Sequence, residues 1–487
     1  MSDNLKKETV FGAGWSLVEN IIKLGISFIV SIVMARLLNP SIYGIVGVVT
    51  IFTSLCSSFV DCGLSTALIR KKNANELDFS TIFIANFSIA LFLYFILYVS
   101  SPFIASFFSI DDLTKVLRVS GLCILIDSIS LIQKTILTKR IDFKTQTKVT
   151  AIAGVISGAV GIIMAFAGFG IWALVAHILA TSTLISVQLW IYNRWFPKMV
   201  FSWSSFKEMF GFGWKLMIIG LLSTLWQNAY NFVIGKFYSP ASLGLYSRAK
   251  QFSDIFSTNI TNVVQRVSMP VLSKIQDEKE RMMAVYIRSI RLTAYVTFIL
   301  LLGLSGISNS LVYVLLGEKW IECASYIPLV AANVLLFPIG MINLNMIALK
   351  GRSDYCLYVE LIKKAIAIVP IVLGVIYNIK IMLISSVIVS TFSYGLNCYY
   401  SKKVIDYGFI SQIKDVFPSF ALSMFMFSVL KAIEMINISA YILLPIQIIS
   451  GAIIVLLISS IFNLYEFNEV KSIISILCSK FSKKTNV

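Results

Sequence analysis

Long apolar segments follow one another along the chain, separated by short polar stretches. They do not show the period-two alternation of a lipid-facing barrel strand, and each is close to the roughly 20 residues that a membrane-spanning helix needs. The pattern therefore predicts an all-α polytopic membrane protein with about 14 transmembrane helices. The predicted helices cover residues 11–35, 42–64, 79–100, 114–137, 148–168, 170–193, 208–233, 242–268, 288–310, 323–349, 357–377, 381–400, 416–433 and 440–463.

The composition agrees with a membrane protein and excludes several soluble classes. Of the 487 residues, 57% are hydrophobic and 13% are charged, whereas soluble domains carry about 25% charged residues. An ordinary globular enzyme, a disordered chain and a nucleic-acid-binding module are excluded on this ground. We therefore expect no nucleic-acid partner.

The positive charge of the chain is explained by membrane topology. There are 41 Lys and Arg residues against 24 Asp and Glu residues, for a net charge of +17. Lys and Arg are concentrated in every second loop, which is typical of loops on the cytoplasmic side. Because an even number of spans returns the chain to its starting side, we predict that both termini are cytoplasmic.

Three short motifs of the first half return in order in the second half. This predicts two copies of a six-helix unit with the same membrane orientation, as in transporters built from parallel repeats. The spacing between the copies grows along the chain, which predicts an insertion near Gly317–Glu322. The matching pairs are residues 11–15 (FGAGW) with 210–214 (FGFGW), 36–44 with 236–244, and 137–143 with 349–355.

The repeat predicts four parts in the chain. Helices 1–6 form an N-terminal lobe and helices 7–12 form a C-terminal lobe, while helices 13–14 are an addition without a counterpart. The last part is a basic amphipathic tail that we expect on the cytoplasmic leaflet. The boundaries are 1–200, 201–405, 406–465 and 466–487.

Several ionisable residues lie within predicted spans, where a charge costs about 2.5–3.5 kcal/mol and usually faces the bundle interior. Four cations exceed what nearby carboxylates neutralise, and they lie on the first two helices of the repeats. A cavity that they line would suit a phosphate or a uronic acid. The expected substrate-binding residues are Lys23, Lys215, Arg248 and Lys250, and the expected ion-coupling carboxylates are Glu19, Asp61, Asp127 and Asp254.

Simpler explanations remain open for several of these residues. Glu19 with Lys23, and Lys250 with Asp254, are spaced i,i+4 and could be structural ion pairs. Other ionisable residues also have simpler explanations: Lys134 can extend from its helix end toward the interface, and His177, the only histidine, is more typical of a buried hydrogen-bonded side chain than of a proton relay.

No enzyme motif is present: the sequence contains no P-loop, no H-E-x-x-H and no G-x-S-x-G. A single histidine disfavours a metal site and a histidine-based acid–base centre. We therefore expect a transporter rather than an enzyme, with no cofactor, no metal and no catalytic residue. A channel, a carrier and a membrane enzyme all remain possible on this reasoning alone, as does a structural or partner-recruiting membrane protein.

Five motifs carry a resemblance to a known family. The sequence resembles bacterial polysaccharide exporters of the polysaccharide transporter family, and is most similar to its Wzx-type, colanic-acid-exporter-like branch. That family belongs to the multidrug/oligosaccharidyl-lipid/polysaccharide flippase superfamily. The motifs are residues 11–15, 34–44, 67–72, 137–144 and 168–175.

The resemblance implies a two-lobed bundle in the bacterial inner membrane. It implies flipping of an undecaprenyl-diphosphate-linked oligosaccharide from the cytoplasmic to the periplasmic leaflet, by alternating access and coupled to an ion gradient. The polysaccharide would be lipopolysaccharide, capsule or exopolysaccharide. The implied partners are the lipid-linked oligosaccharide, membrane lipids, a polysaccharide polymerase and a chain-length regulator. The alternative is an ion-coupled multidrug exporter of the same superfamily.

Overall fold

The computed structural model describes residues 22, 24–436, 438–472 and 475, and these residues form helices and loops without any strand. The prediction of an all-α membrane protein is confirmed. The chain divides into two compact units, Met1–Gly244 and Leu245–Val487. The division into two units reflects how the residues pack, whereas the four predicted parts were drawn from the repeat in the sequence. The two units therefore do not test the boundaries of the four parts, which stay a prediction.

The first unit contains nine helices among its described residues, and a tenth helix begins at its end. They are α1 (Leu24–Leu37), α2 (Pro40–Asp61), α3 (Leu64–Arg70), α4 (Glu76–Phe108), α5 (Leu113–Ser120), α6 (Leu122–Lys139), α7 (Phe143–Phe166), α8 (Ile171–Asn193), α9 (Trp203–Phe237) and α10 (Pro240–Lys274).

The second unit holds most of α10 and all later helices. These are α11 (Lys279–Gly306), α12 (Ser308–Leu316), α13 (Ile321–Val334), α14 (Phe337–Leu349), α15 (Ser353–Ile366), α16 (Ile368–Ile376), α17 (Ile379–Ile405), α18 (Phe409–Glu434) and α19 (Ala440–Ile461).

In the described part of the chain, 11 helical segments are long and apolar enough to cross a membrane. The described residues of the other three predicted spans are also helical for the most part, but each span misses the criterion for its own reason. α1 is described over a short length only, α10 carries several charged residues, and the span predicted at 357–377 is divided into α15 and α16. The count of 14 therefore stays a prediction.

In the first unit, α1 packs on α7 through glycines. A Cβ atom added to Gly158 would lie 2.4 Å from Cγ2 of Val30, and one added to Gly154 would lie 3.2 Å from Cγ2 of Ile26. Small residues at this spacing let two helix backbones approach closely. In lipid, the van der Waals contacts made by such a close approach help to hold the helices together.

Helix α9 also packs in the first unit, against α2, α3 and α4. A Cβ on Gly213 would lie only 2.6 Å from the carbonyl oxygen of Cys62. At one end of α9, Lys71 donates hydrogen bonds to Asp78 and Glu208, both at 3.0 Å, and Ser205 donates to Asp78. Burial by itself would lower the pKa of Lys71, but these hydrogen bonds outweigh it and raise the pKa.

The repeated motif at 36–44 and 236–244 has the same backbone in both copies. α1 ends at Leu37 and α2 begins at Pro40, while α9 ends at Phe237 and α10 begins at Pro240. Proline at the first helical position suits these starts because its missing N–H needs no partner there. At the predicted insertion near Gly317–Glu322 the chain forms the 3₁₀ turn Glu318–Trp320, directly after α12, and the insertion itself stays a prediction.

The two copies of this motif touch each other within the first unit. A Cβ on Gly44 would lie 1.7 Å from the carbonyl oxygen of Pro240, and a Cβ on Gly244 would lie 1.9 Å from the carbonyl oxygen of Pro40. Only glycine leaves room for such a backbone contact. The contact is reciprocal, because the glycine of each copy approaches the proline carbonyl oxygen of the other.

A buried polar network ties four helices of the second unit together. The Tyr286 hydroxyl bonds to Asn343 and lies 2.9 Å from Ser401 Oγ. Asn343 Nδ2 donates to Gln412 Oε1 at 3.0 Å, and Tyr394 donates to the same oxygen at 2.8 Å. These side chains come from α11, α14, α17 and α18, so the network fixes the packing of those helices.

Beyond α19, residues 465–472 are helical and turn back toward α11. Arg288 pairs with Glu469, and Glu466 is buried with 3% of its surface exposed. Most of the predicted amphipathic tail at 466–487 lies outside the described residues.

Candidate functional site

A cavity of about 260 Å³ lies inside the first unit, between α1, α6, α7 and α8. Its lining is mixed: apolar side chains surround a lysine, a histidine, an amide and several hydroxyls. The polar lining residues are Ser27, Lys134, Gln146, Thr150, Ser157, His177 and Thr181.

Hydrogen bonds within and between the helices orient this lining. Thr181 on α8 donates to Ser157 Oγ on α7 at 2.8 Å and also lies 2.7 Å from the carbonyl oxygen of His177. Gln146 on α7 donates to Thr138 on α6 at 3.1 Å. The Nδ1 atom of His177 is buried and has no hydrogen-bond partner among the described residues.

Among the described residues that line the cavity, Lys134 is the charged one. The lining, as far as the structure describes it, contains Lys134 and His177 but no Asp or Glu. Ammonium, imidazole, amide and hydroxyl groups together suit an anion or the hydroxyls of a sugar. Among the described residues, no group of three or more His, Cys, Asp or Glu side chains is placed to hold a metal ion.

The structure places the predicted cations in different surroundings. Lys215 is exposed on α9, with Nζ 6.0 Å above the ring of Trp214. Arg248 is buried, with 6% of its surface exposed, and its guanidinium lies 5.7 Å from the ring of Trp320. Lys23 lies outside the described residues. A common cationic lining made by these residues stays a prediction.

Of the predicted coupling carboxylates, one is paired with a predicted cation. Asp254 accepts a hydrogen bond from Lys250 at 2.9 Å, so each charge neutralises the other. Asp61 at the end of α2 has a buried Oδ1 without a hydrogen-bond partner in the described part of the chain. Asp127 on α6 lies beside Ser182 on α8. Glu19 lies outside the described residues, and ion coupling stays a prediction for all four.

Sequence reasoning gave Lys134 and His177 separate explanations, but the structure brings both to one cavity. A signal for this was present in the sequence. Thr181 follows His177 by one helical turn, and Thr150 follows Gln146 by one turn, so polar side chains mark one face of each helix. What the sequence does not show is that these faces meet.

Comparisons with known proteins agree with this architecture. The sequence is 26% identical over 360 residues to the teichuronic acid biosynthesis protein TuaB of Bacillus subtilis, covering 73% of this chain and 74% of TuaB. It is 21% identical to the lipopolysaccharide biosynthesis protein WzxC of Escherichia coli, covering 76% of each chain.

The structure is similar to two solved transporters. The lipid II flippase MurJ in an inward closed conformation matches with a TM-score of 0.72 and 16% identity, over 93% of this chain and 98% of that one. A multidrug resistance transporter of the MATE family matches with a TM-score of 0.58 and 14% identity, over 85% and 99%. At these identities the likeness shows the fold.

The family itself is established from the sequence. The sequence model of the family described as polysaccharide biosynthesis protein matches residues 33–325, which is more than half of the chain. This agrees with the predicted resemblance and with the membrane helices of both units. The chain therefore belongs to the polysaccharide biosynthesis protein family.

Proposed function

We propose that this protein flips an undecaprenyl-diphosphate-linked oligosaccharide from the cytoplasmic to the periplasmic leaflet of the bacterial inner membrane. The observation that carries the proposal is the family match over residues 33–325 on a chain built of membrane-spanning helices. The similarity to WzxC and the shared fold with MurJ support it.

The chemistry of the substrate explains why a protein is needed. A glycan and a diphosphate cannot cross about 30 Å of hydrocarbon unaided. The lipid chain can remain in the bilayer while the head group crosses a polar route. The cavity with Lys134 and His177 offers cationic and hydroxyl contacts for such a head group. An inside-negative potential assists the outward movement of an anion by about 2.3 kcal/mol per charge per 100 mV.

We further propose that the transport cycle is alternating access, coupled to an ion gradient. The reciprocal contact of Gly44 and Gly244 supports a closure on the predicted periplasmic side, because it joins the two repeat copies at one point. Asp61 is a candidate for the ion-responsive group, since a buried carboxylate oxygen without a partner gains most from a proton or cation.

Orientation and partners belong to the same proposal. The charge bias supports cytoplasmic termini, and the family supports a pathway that ends in lipopolysaccharide, capsule or exopolysaccharide. A polymerase and a chain-length regulator would act on the product in the periplasm.

A flipping assay in liposomes tests the function. Undecaprenyl-diphosphate-linked oligosaccharide is placed in sealed vesicles with the purified protein, and its exposure is followed with a membrane-impermeant glycosidase. We expect protein-dependent exposure that slows in Lys134→Ala and His177→Gln and is unchanged in Lys72→Ala, an exposed loop lysine of the same unit. The same assay with Lys23, Lys215, Arg248 and Lys250 each changed to Ala tests the predicted cationic residues.

Absence of flipping for every polyprenyl-linked glycan would refute the proposal. Export of small cationic dyes by the same vesicles would then favour the multidrug exporter, whose fold this chain shares. Flipping that continues when proton and sodium gradients are collapsed would refute the coupling and leave the flipping itself in place.

A further inference from the structure

An open groove of about 650 Å³ runs along the exposed face of α17 in the second unit. Its walls are almost entirely apolar, and the first residue of α18 closes one side. The lining includes Val387, Ile388, Phe392, Leu396, Tyr399 and Phe409.

The spacing of residues on α17 creates this groove. Ile388, Phe392, Gly395 and Tyr399 are three or four positions apart, so they lie along one face of the helix. Gly395 leaves a gap in the middle of this face. Among the described residues outside the adjacent backbone of α17, a Cβ added there would meet one atom within 4 Å, a ring carbon of Phe409 at 3.9 Å. The apolar lining extends from Val387 to Tyr399 along α17, and its chemistry suits a hydrocarbon chain.

A cationic aromatic cluster continues the same face of α17. Lys403 follows Tyr399 by one helical turn, and its Nζ lies 4.6 Å from the ring centre of Tyr399, 5.2 Å from that of Tyr400 and 5.9 Å from that of Tyr355. The guanidinium of Arg352 stacks on Tyr355 at 3.7 Å. Two positive groups and three tyrosine rings thus gather at one end of an apolar groove.

The charges in this cluster are only partly balanced. Arg352 pairs with Asp354 at 2.8 Å, whereas no ion pair of the described residues includes Lys403. A net positive charge beside an apolar groove complements an amphiphile with an anionic head. The tyrosine rings add flat faces on which a sugar ring can pack, beyond what a simple phospholipid head requires.

We propose that this face of the second unit binds the lipid-linked substrate before it crosses the membrane. The polyprenyl chain lies in the α17 groove, and the diphosphate with its first sugar lies against Lys403, Arg352 and the tyrosines. The cluster lies at the end of α17 that the charge bias predicts to be cytoplasmic, which is the leaflet where the substrate is made. The inference rests on the proposed function for the identity of the lipid.

Photocrosslinking in nanodiscs tests the site. A benzophenone amino acid replaces Ile388, which is 66% exposed in the groove. The probe is undecaprenyl-diphosphate-N-acetylglucosamine, and phosphatidylglycerol in excess is the competitor. We expect crosslinks to the probe that phosphatidylglycerol does not displace. Lys403→Gln should lower the yield about five- to tenfold, as expected for a charge-assisted contact, while the neighbouring Lys402→Gln should leave it unchanged.

Gly395 supplies a second, independent variant. Gly395→Leu fills the groove, whereas Gly395→Ala adds one carbon that meets only an ordinary contact. We expect loss of crosslinking in the first and not in the second. Equal crosslinking of probe and phosphatidylglycerol, insensitive to Lys403 and Gly395, would show ordinary membrane lipid in the groove and overturn the inference.

The same preparation separates this inference from the proposed function. If the protein crosslinks the probe selectively but flips nothing, the binding site stands and the flippase proposal fails. If the protein flips the substrate and Lys403→Gln and Gly395→Leu have no effect on its half-saturating concentration, the flippase stands and the site is wrong.

Discussion

Replacing Gly44 by alanine should open the contact between the two repeated motifs. The Cβ of the new residue would lie 1.7 Å from the carbonyl oxygen of Pro240. The atom it meets belongs to the backbone, so no change of side-chain rotamer relieves the overlap. Truncating the side chain of residue 240 would not relieve it either.

The size of the effect follows from this geometry. The distance must grow from 1.7 Å to at least 3.0 Å before it reaches a value that real Cβ atoms show. Forcing a methyl group into such a contact costs about 1–3 kcal/mol. If that energy is lost only when the contact is closed, the ratio of closed to open molecules falls about 5- to 150-fold. Gly244→Ala should act in the same way, since its Cβ would lie 1.9 Å from the oxygen of Pro40.

The assay measures access to a buried position next to the contact. Val48 has no exposed surface and lies one turn after Gly44 on α2. A single cysteine at Val48, in a chain whose seven native cysteines are replaced, is labelled with a maleimide in nanodiscs. We expect slow labelling in the parent and labelling at least several-fold faster with Gly44→Ala.

The matched control is Gly220→Ala on α9, where the added Cβ has no described atom within 4 Å apart from the adjacent backbone of its own helix. This variant should label like the parent. If Gly44→Ala remains folded and labels no faster than Gly220→Ala, the backbone contact does not close the protein and the reasoning is refuted.

Three further outcomes are expected. Gly158→Ala should lower the melting temperature, because the added Cβ would lie 2.4 Å from Val30 Cγ2. The obstacle is a side chain, so adding Val30→Ala to the same protein should restore the melting temperature. Failure of this rescue would contradict the packing of α1 on α7. Gln412→Leu should cost about 1–3 kcal/mol in thermal unfolding, since it leaves buried partners unsatisfied, whereas Ser393→Ala removes a bond only within its own helix and should be near neutral. Burial and a hydrogen bond to the Asp415 carboxylate raise the pKa of the Tyr407 hydroxyl. The stability that the protonated Tyr407 contributes should therefore be constant below about pH 10 and should be lost as the pH rises through the raised pKa. A Tyr407→Phe variant that loses stability over the same alkaline range would contradict this.

The apolar pattern predicted the membrane class, the helical fold and the positions of the helices. These follow from local physics, because a run of about 20 apolar residues in lipid has to satisfy its own backbone hydrogen bonds. The break before Pro40 and its copy before Pro240 were also visible, since proline at a helix start is a local signal. Family membership followed from motifs of the same local kind.

The sites depended on contacts between distant segments. The ion pair of Lys250 with Asp254 lies within one helix, and the i,i+4 spacing of the two residues predicted it. Lys134 and His177 lie on different helices, and nothing in either segment reports that their faces meet at one cavity. The burial of Arg248 against Trp320 likewise joins residues far apart in the chain.

The sequence by itself therefore determined that this chain is a helical membrane protein, and it predicted the repeat that relates residues 36–44 to 236–244. Only the tertiary structure decided which polar groups share a cavity, that Gly44 and Gly244 bring two backbones into contact, and that an apolar groove leads to Lys403. The physical reason is that hydrophobicity and helix signals act within a segment. Close packing instead depends on how the surfaces of two helices fit each other, and the sequence of one helix determines only its own surface.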